Sequence, residues 1–328
     1  MKRESQIGVL GTGAWGLALS SALSKKNNVN LFFISRKDFK KVSETRGSDF
    51  LASFNLSSNI KLKNDLQDLR ECKYIFIAVP AQRMRENLNL ISNVSQQSTI
   101  VICNKGIERE THKLMSEVTL QILPNSSVIV LSGPNLANEV AQNLPTAFVL
   151  SSVNNSTLNE LGNLISNKNF RPYYNNDIIG TQLGGAVKNV IAIACGVTVA
   201  RELGENARAS VITRGLQEII YLGKKMGANE KTFYGLSGIG DLNLTCNSEK
   251  SRNFKFGFNL GKGLSLKEIE NMNFLAEGFY SCESVNSLAQ KFGIDVPICN
   301  AVKNLINGYS IDKIIDKLLA RPLQYEDI

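Results

Sequence analysis

Ile7-Gly8-Val9-Leu10-Gly11-Thr12-Gly13-Ala14-Trp15-Gly16 is a short apolar run ending in three glycines spaced G-x-G-x-x-G. The run reads as a buried strand, and the stretch Trp15 to Ser24 that follows has helical character. In that setting each glycine has a separate use. Gly11 permits a tight turn, Gly13 lets backbone N–H groups approach a diphosphate, and Gly16 lets the helix pack closely on the strand. The start of the helix then faces two negative charges. Alone, the triplet also fits a plain turn; between a strand and a helix it is a candidate dinucleotide-binding loop.

Outward from this loop, Val29 to Ile34, Tyr74 to Val79, Thr99 to Cys103, Val128 to Leu131 and Thr146 to Leu150 also read as buried strands. Helical stretches such as Arg83 to Ile91 alternate with them. The alternation predicts an α/β Rossmann domain, a doubly wound and mostly parallel sheet with ligands at the carboxyl ends of its strands. After about Asn176 the strand pattern stops. Helical periodicity takes over in Gly180 to Ala200, Ala209 to Met226, Ser265 to Met272, Ser281 to Phe292 and Ile298 to Ile306. The expected organisation is a dinucleotide-binding domain over residues 1–176 and an all-α domain over 177–328, joined by a polar connector at Tyr173 to Asp177.

The second strand is followed by Ser35 and Arg36, about 20 residues past the glycines, where an NAD-selective site carries Asp or Glu against the ribose hydroxyl. An arginine beside a hydroxyl can hold a 2′-phosphate instead, so NADP(H) is favoured and NAD(H) stays possible, with Asp38 close by.

Composition bounds the remaining classes. The 37 basic residues outnumber the 29 acidic ones for a net charge of +8, but they are dispersed among the acids rather than gathered in a stripe, which argues against nucleic acid. A positive site for small phosphorylated anions fits better. The longest uncharged apolar stretch at the chain's centre, Asn189 to Ala200, is short of the ~20 residues of a membrane helix, and Met1 to Gln6 lacks the apolar core of a secretory signal. A cytoplasmic protein without an integral membrane segment is expected. Cys72, Cys103, Cys195, Cys246, Cys282 and Cys299 stand singly, as reduced and mostly buried thiols, and no metal site is expected. The one histidine, His112, lies in a polar stretch, Glu108 to Lys113, that resembles a surface helix start, so an acid/base group must be sought elsewhere.

Three clusters follow strand or helix patterns: Asn104-Lys105-Gly106, Ser132-Gly133-Pro134-Asn135, and Gly184-Gly185-Ala186-Val187-Lys188-Asn189. Lys188 sits in a nearly uncharged helical segment that implies burial, and a buried ammonium is expensive without a partner. Together with Gly240-Asp241-Leu242, Thr245-Cys246, Ser251-Arg252-Asn253 and Ala276-Glu277-Gly278, in this order over the whole chain, these residues resemble the bacterial NAD(P)-dependent glycerol-3-phosphate dehydrogenases.

The resemblance implies reduction of dihydroxyacetone phosphate to glycerol 3-phosphate, with Lys188 as acid/base, Lys105 on substrate and cofactor, and Asp241, Ser251, Arg252 and Asn253 completing the substrate site. Negative charge builds on the carbonyl oxygen during reduction, so an ammonium there both stabilises and protonates it. Lys105, if near, would lower the proton affinity of Lys188, and Asp241 would raise it. The fork of Arg252 suits phosphate oxygens, with Ser251 and Asn253 as neutral donors. Trp15, Glu277 and Arg252 resemble further cofactor contacts, and Leu275 by position faces the cofactor or packs. The family usually has a small hydroxyl residue at Asn135 and serine at Ala14; here one donor is altered and the other lost, leaving backbone N–H groups around Gly133, Asn135 and Ala137. A helical second domain with an apolar face favours a homodimer. A hydroxyacid or 6-phosphogluconate-type dehydrogenase of similar build, or a non-catalytic NADP(H) sensor, are the alternatives. The first lacks support in the Ser251 to Asn253 cluster, and the second has no need of a proton donor.

Overall fold

A computed structural model describes residues 7–51, 54–95, 97–272, 276–323 and 325. They form two compact units. The first comprises the chain up to Lys105 with Leu114–Ile178, and the second comprises Gly106–Lys113 with the chain from Ile179 onward.

The first unit holds eight strands: β1 (Ile7–Leu10), β2 (Val29–Phe32), β3 (Ile60–Lys63), β4 (Tyr74–Ile77), β5 (Thr99–Ile102), β6 (Val128–Ser132), β7 (Thr146–Ser151) and β8 (Phe170–Asn175). Its helices are α1 (Ala14–Ser24), α2 (Arg36–Thr45), α3 (Met84–Ile91), α4 (Met115–Ile122), α5 (Ala137–Ala141) and α6 (Asn155–Ile165). The strand order is β3-β2-β1-β4-β5-β6-β7-β8, parallel except for the antiparallel β6–β7 pair. The order reverses beside β1, and a switch point of that kind opens a crevice at the strands' carboxyl ends.

Central strands are apolar on both sides because both sides are covered. Val9, Phe76, Val101 and Ile129 belong to one buried cluster, and Leu10, Ile77, Ile102 and Val130 to the other. That two-sided burial makes these strands readable as apolar runs. The two edge strands behave differently. β3 reads Ile-Lys-Leu-Lys, and β8, Phe-Arg-Pro-Tyr-Tyr-Asn, overlaps the stretch expected to be a polar connector. It is a strand because β7 pairs with it along its full length. Pro172 is tolerated because the edge leaves one side of the backbone unpaired, and Tyr173 and Tyr174 are both 48% exposed.

The second unit holds α7 (Ile178–Ala200), α8 (Glu205–Lys225), α9 (Asp241–Asn247), α10 (Arg252–Gly261), α11 (Leu266–Asn271), α12 (Glu277–Phe292), α13 (Pro297–Ile306) and α14 (Ile311–Leu319). Glu108–Lys113 is not the start of a helix. Glu108 N–H donates to the Lys113 carbonyl at 3.0 Å and His112 adopts a left-handed φ of 56°, which closes a turn before α4 begins. All six cysteines are free and buried. At 23 residues α7 is long and apolar enough to cross a membrane, so the short uncharged stretch after Lys188 underestimated it. Its most apolar window is 89% buried inside the protein, as for the core helix of a folded unit.

Candidate active site

In the first unit the candidate residues gather at strand carboxyl ends. Gly11 follows β1 with φ +115°, and a side chain there would strike the backbone of Ala78. A Cβ on Gly16 would collide with the Gly11 carbonyl oxygen, so the first turn of α1 lies directly on the loop. Gly13 caps α1, and no acidic residue stands in the first turn. Ala14 and Trp15 are part-buried, and both pack against the core. This end of the helix has the charge and backbone geometry that a diphosphate needs. Arg36 is exposed at the start of α2, where the Ser35 hydroxyl accepts from Asp38 N–H at 3.2 Å and caps the helix.

Beyond β5, the Asn104 amide donates to the Val79 carbonyl at 3.2 Å and Lys105 Nζ donates to the Gly133 carbonyl at 2.7 Å. Gly133 has φ +136°, in the region that favours glycine. Both polar atoms of the Asn135 side chain are buried without a protein hydrogen-bond partner. Leaving them unsatisfied is costly, so a polar ligand beside Asn135 fits the donors present. Ala137 opens α5.

In the second unit, Lys188 on α7 is 6% exposed and Asp241 at the start of α9 is 1% exposed. Lys188 Nζ donates at 2.6 Å to Asp241 Oδ1 and at 2.6 Å to Thr245 Oγ1, whose own hydroxyl bonds back to the Asp241 carbonyl at 2.7 Å. The sequence shows how this is built. A side chain on Gly184 would overlap the Ser237 carbonyl, so the backbones touch there. Lys188 lies one helical turn beyond Gly184 on α7, and Asp241 opens α9 four residues beyond Ser237, after a non-helical kink at Gly238, so the two side chains meet. Two charges removed from water need close geometry and added hydrogen bonds, and Thr245 supplies one. Burial pushes the neighbouring Cys246 thiol well up, which keeps thiolate chemistry out of the site.

A second network begins one residue on. Asn253 Nδ2 donates to Asn189 Oδ1 at 2.9 Å, and Asn253 Oδ1 accepts from Gly278 N–H at 2.8 Å. Ser251 is the N-cap of α10, accepting from Phe254 N–H at 3.2 Å, and Arg252 is exposed in its first turn. Glu277 opens α12. Leu275 lies outside the described residues. The structure therefore joins Lys188 with Asp241, Asn253 with the start of α12, and Lys105 with Gly133. Sequence reasoning gave Thr245 and Asn189 no role; the spacing of Asp241 and Thr245, four apart on one helix, was the available signal.

A doubly wound sheet with a glycine loop at its switch point, together with a helical unit carrying a buried, paired lysine, has the build of a two-unit dinucleotide-dependent dehydrogenase. Two family profiles match the chain: NAD-dependent glycerol-3-phosphate dehydrogenase N-terminus over residues 6–158 and the corresponding C-terminus over 177–316. A glycerol-3-phosphate dehydrogenase [NAD(P)+] of Zymomonas mobilis is 41% identical over 98% of this chain and 94% of its own. One from Parvibaculum lavamentivorans is 40% identical over 98% of each chain. The crystal structure of glycerol-3-phosphate dehydrogenase from Coxiella burnetii superposes with a TM-score of 0.92 at 35% identity, covering 97% of this chain and all of the other. The chain belongs to the NAD-dependent glycerol-3-phosphate dehydrogenase family.

Proposed function

We propose that this protein catalyses the reversible NAD(P)H-dependent reduction of dihydroxyacetone phosphate to sn-glycerol 3-phosphate, the backbone precursor for glycerophospholipid synthesis. The observation that carries the reading is the buried Lys188 ammonium held by Asp241 and Thr245. When bound, the nicotinamide supplies the hydride that reduces the ketone carbon.

Lys188 stabilises the charge that develops on the carbonyl oxygen and gives that oxygen a proton. Asp241 keeps the ammonium charged and fixes its direction, and Lys105 adds positive charge against substrate and cofactor. Arg252 takes the phosphate, with Ser251 and Asn253 as neighbouring donors and Gly133 and Asn135 completing the substrate site. Gly11, Gly13, Ala14, Trp15 and Gly16 hold the diphosphate, and Ala137, Arg252 and Glu277 extend the cofactor contacts. Residues 1–176 serve the cofactor, and 177–328 serve substrate and catalysis.

NADP(H) is the preferred cofactor. Arg36 opens α2 at the end of the second strand, where a carboxylate selective for the ribose hydroxyl is missing. The enzyme works in the cytoplasm as a homodimer. Steady-state reduction of dihydroxyacetone phosphate with NADPH and then NADH, followed by nicotinamide absorbance, tests the proposal. The expected result is turnover with both and a higher kcat/KM with NADPH. Tight cofactor binding without turnover would overturn the activity, and a higher kcat/KM with NADH would overturn the preference.

A further inference from the structure

We propose that Ser281 and Ser284 of α12 are positioning residues for Lys105. This inference rests on the reading of Lys105 as a group that contacts substrate and cofactor. Immediately after Lys105 the chain leaves the first unit, and Gly106–Lys113 forms a strap that belongs to the second. The strap is closed on itself by the Glu108–Lys113 backbone bond and by a hydrogen bond between the Thr111 hydroxyl and the Glu108 carboxylate.

α12 holds the root of this strap. Ile107 N–H donates to Ser281 Oγ at 3.4 Å, and Ser284 Oγ donates to the Glu108 carbonyl at 3.1 Å. Both serines are 0% exposed and lie three apart, on one face of the helix. A serine inside a helix usually bonds back to its own helix, as Ser20 does to Gly16. Ser284 instead reaches a carbonyl 176 residues away in sequence. Alanine would pack such a face without placing a hydroxyl in the interior, where it needs a partner. The two hydroxyls therefore set the register of the strap against the helix.

Lys105 lies between fixed points. Asn104, before it, is tied to the Val79 carbonyl, and Ile107 and Glu108, just after it, are tied to α12. Its own ammonium is on the Gly133 carbonyl. The same helix begins with Glu277 and holds Asn253 through Gly278 N–H. A displacement of about 1 Å at a reacting or substrate-holding group can cost a hundredfold in rate.

The test is a double-mutant cycle on the full chain with NADPH. Ser281→Ala with Ser284→Ala is expected to lower kcat/KM for dihydroxyacetone phosphate by about tenfold, mostly through KM, with the NADPH Kd unchanged. In a Lys105→Met background the same pair is expected to change the residual rate less than about twofold, because the group it positions is gone. Wild-type kcat/KM in the serine variant, or an equal loss in both backgrounds, overturns the proposal. Should the double variant fail to fold, Ser284→Ala alone is read by the same criteria. Undiminished turnover in Lys105→Met would overturn the reading of Lys105 itself, and the positioning role with it.

Discussion

The two units build their parts of the proposed site from different material. In the sheet unit most of the work falls to backbone: a positive-φ Gly11, a helix start at Gly13, and carbonyls at strand ends. In the helical unit it falls to side chains that the fold removes from water, Lys188 against Asp241 and Thr245 and Asn253 against Asn189. In the first, the glycine loop is local in sequence, and the carbonyl contacts of Asn104 and Lys105 span 25 and 28 positions. The second joins residues 53 and 64 positions apart. A backbone site tolerates change in most side chains but not at its glycines, whereas a buried charged pair is sensitive at every member.

The largest expected effect breaks the side-chain half. Lys188→Met should lower kcat by about a thousandfold, the range for loss of a general acid, with the NADPH Kd held. It also strands a buried carboxylate, at a stability cost of about 3 kcal/mol. Adding Asp241→Asn should restore the melting temperature but not turnover. Near-wild-type kcat in either variant removes Lys188 from the chemistry.

The backbone half is sharpened by comparing two glycines. Gly16→Ala drives a Cβ into the Gly11 carbonyl and should cost about 2 to 3 kcal/mol, seen in a denaturant titration. Gly13→Ala meets no protein atom within 4 Å, and its φ of −71° suits alanine. It should leave the melting temperature unchanged while raising the NADPH Kd about tenfold or more, because the methyl group occupies the diphosphate's approach. Equal cofactor affinity in Gly13→Ala would show that the loop is only a turn.

Arg252→Ala should raise KM for dihydroxyacetone phosphate by roughly ten- to a hundredfold, the worth of a charge-assisted hydrogen bond, with a smaller change in kcat. An unchanged KM rejects its phosphate role.

The smallest effect concerns stability. Burial pushes Glu218 of α8 up to about 7, against the N–H groups of Ile298 and Cys299 that it accepts at 2.6 and 3.0 Å at the start of α13. The folded state therefore keeps a proton that the unfolded chain, with an ordinary value of 4.5, has released. Its contribution is full below about 4.5 and is lost as pH rises through 7, with a slope of at most about 1.4 kcal/mol per pH unit. Glu218→Gln should remove that slope from a plot of stability against pH, and an unchanged slope would assign it to other groups.

The central strands and the glycine loop were legible because their signals are local: apolar runs covered on both sides, and a turn set by three neighbouring residues. Edge strands β3 and β8 were not, since a strand with one paired side carries polar residues and even Pro172. The strap at Glu108–Lys113 was misread because its polar composition does not distinguish a closed turn from a helix start.

By itself the sequence determined the class of fold, the glycine loop between β1 and α1, and Lys188 as a buried charge in want of a partner. Tertiary structure alone decided which groups became that partner. The backbone contact of Gly184 with Ser237 sets α7 and α9 so that Asp241 and Thr245 reach the ammonium, and Ser281 and Ser284 of α12 take up the backbone of residues 107 and 108. The reason is physical: a turn is specified by the torsions of adjacent residues, whereas a buried ion pair depends on how closely two distant segments can pack.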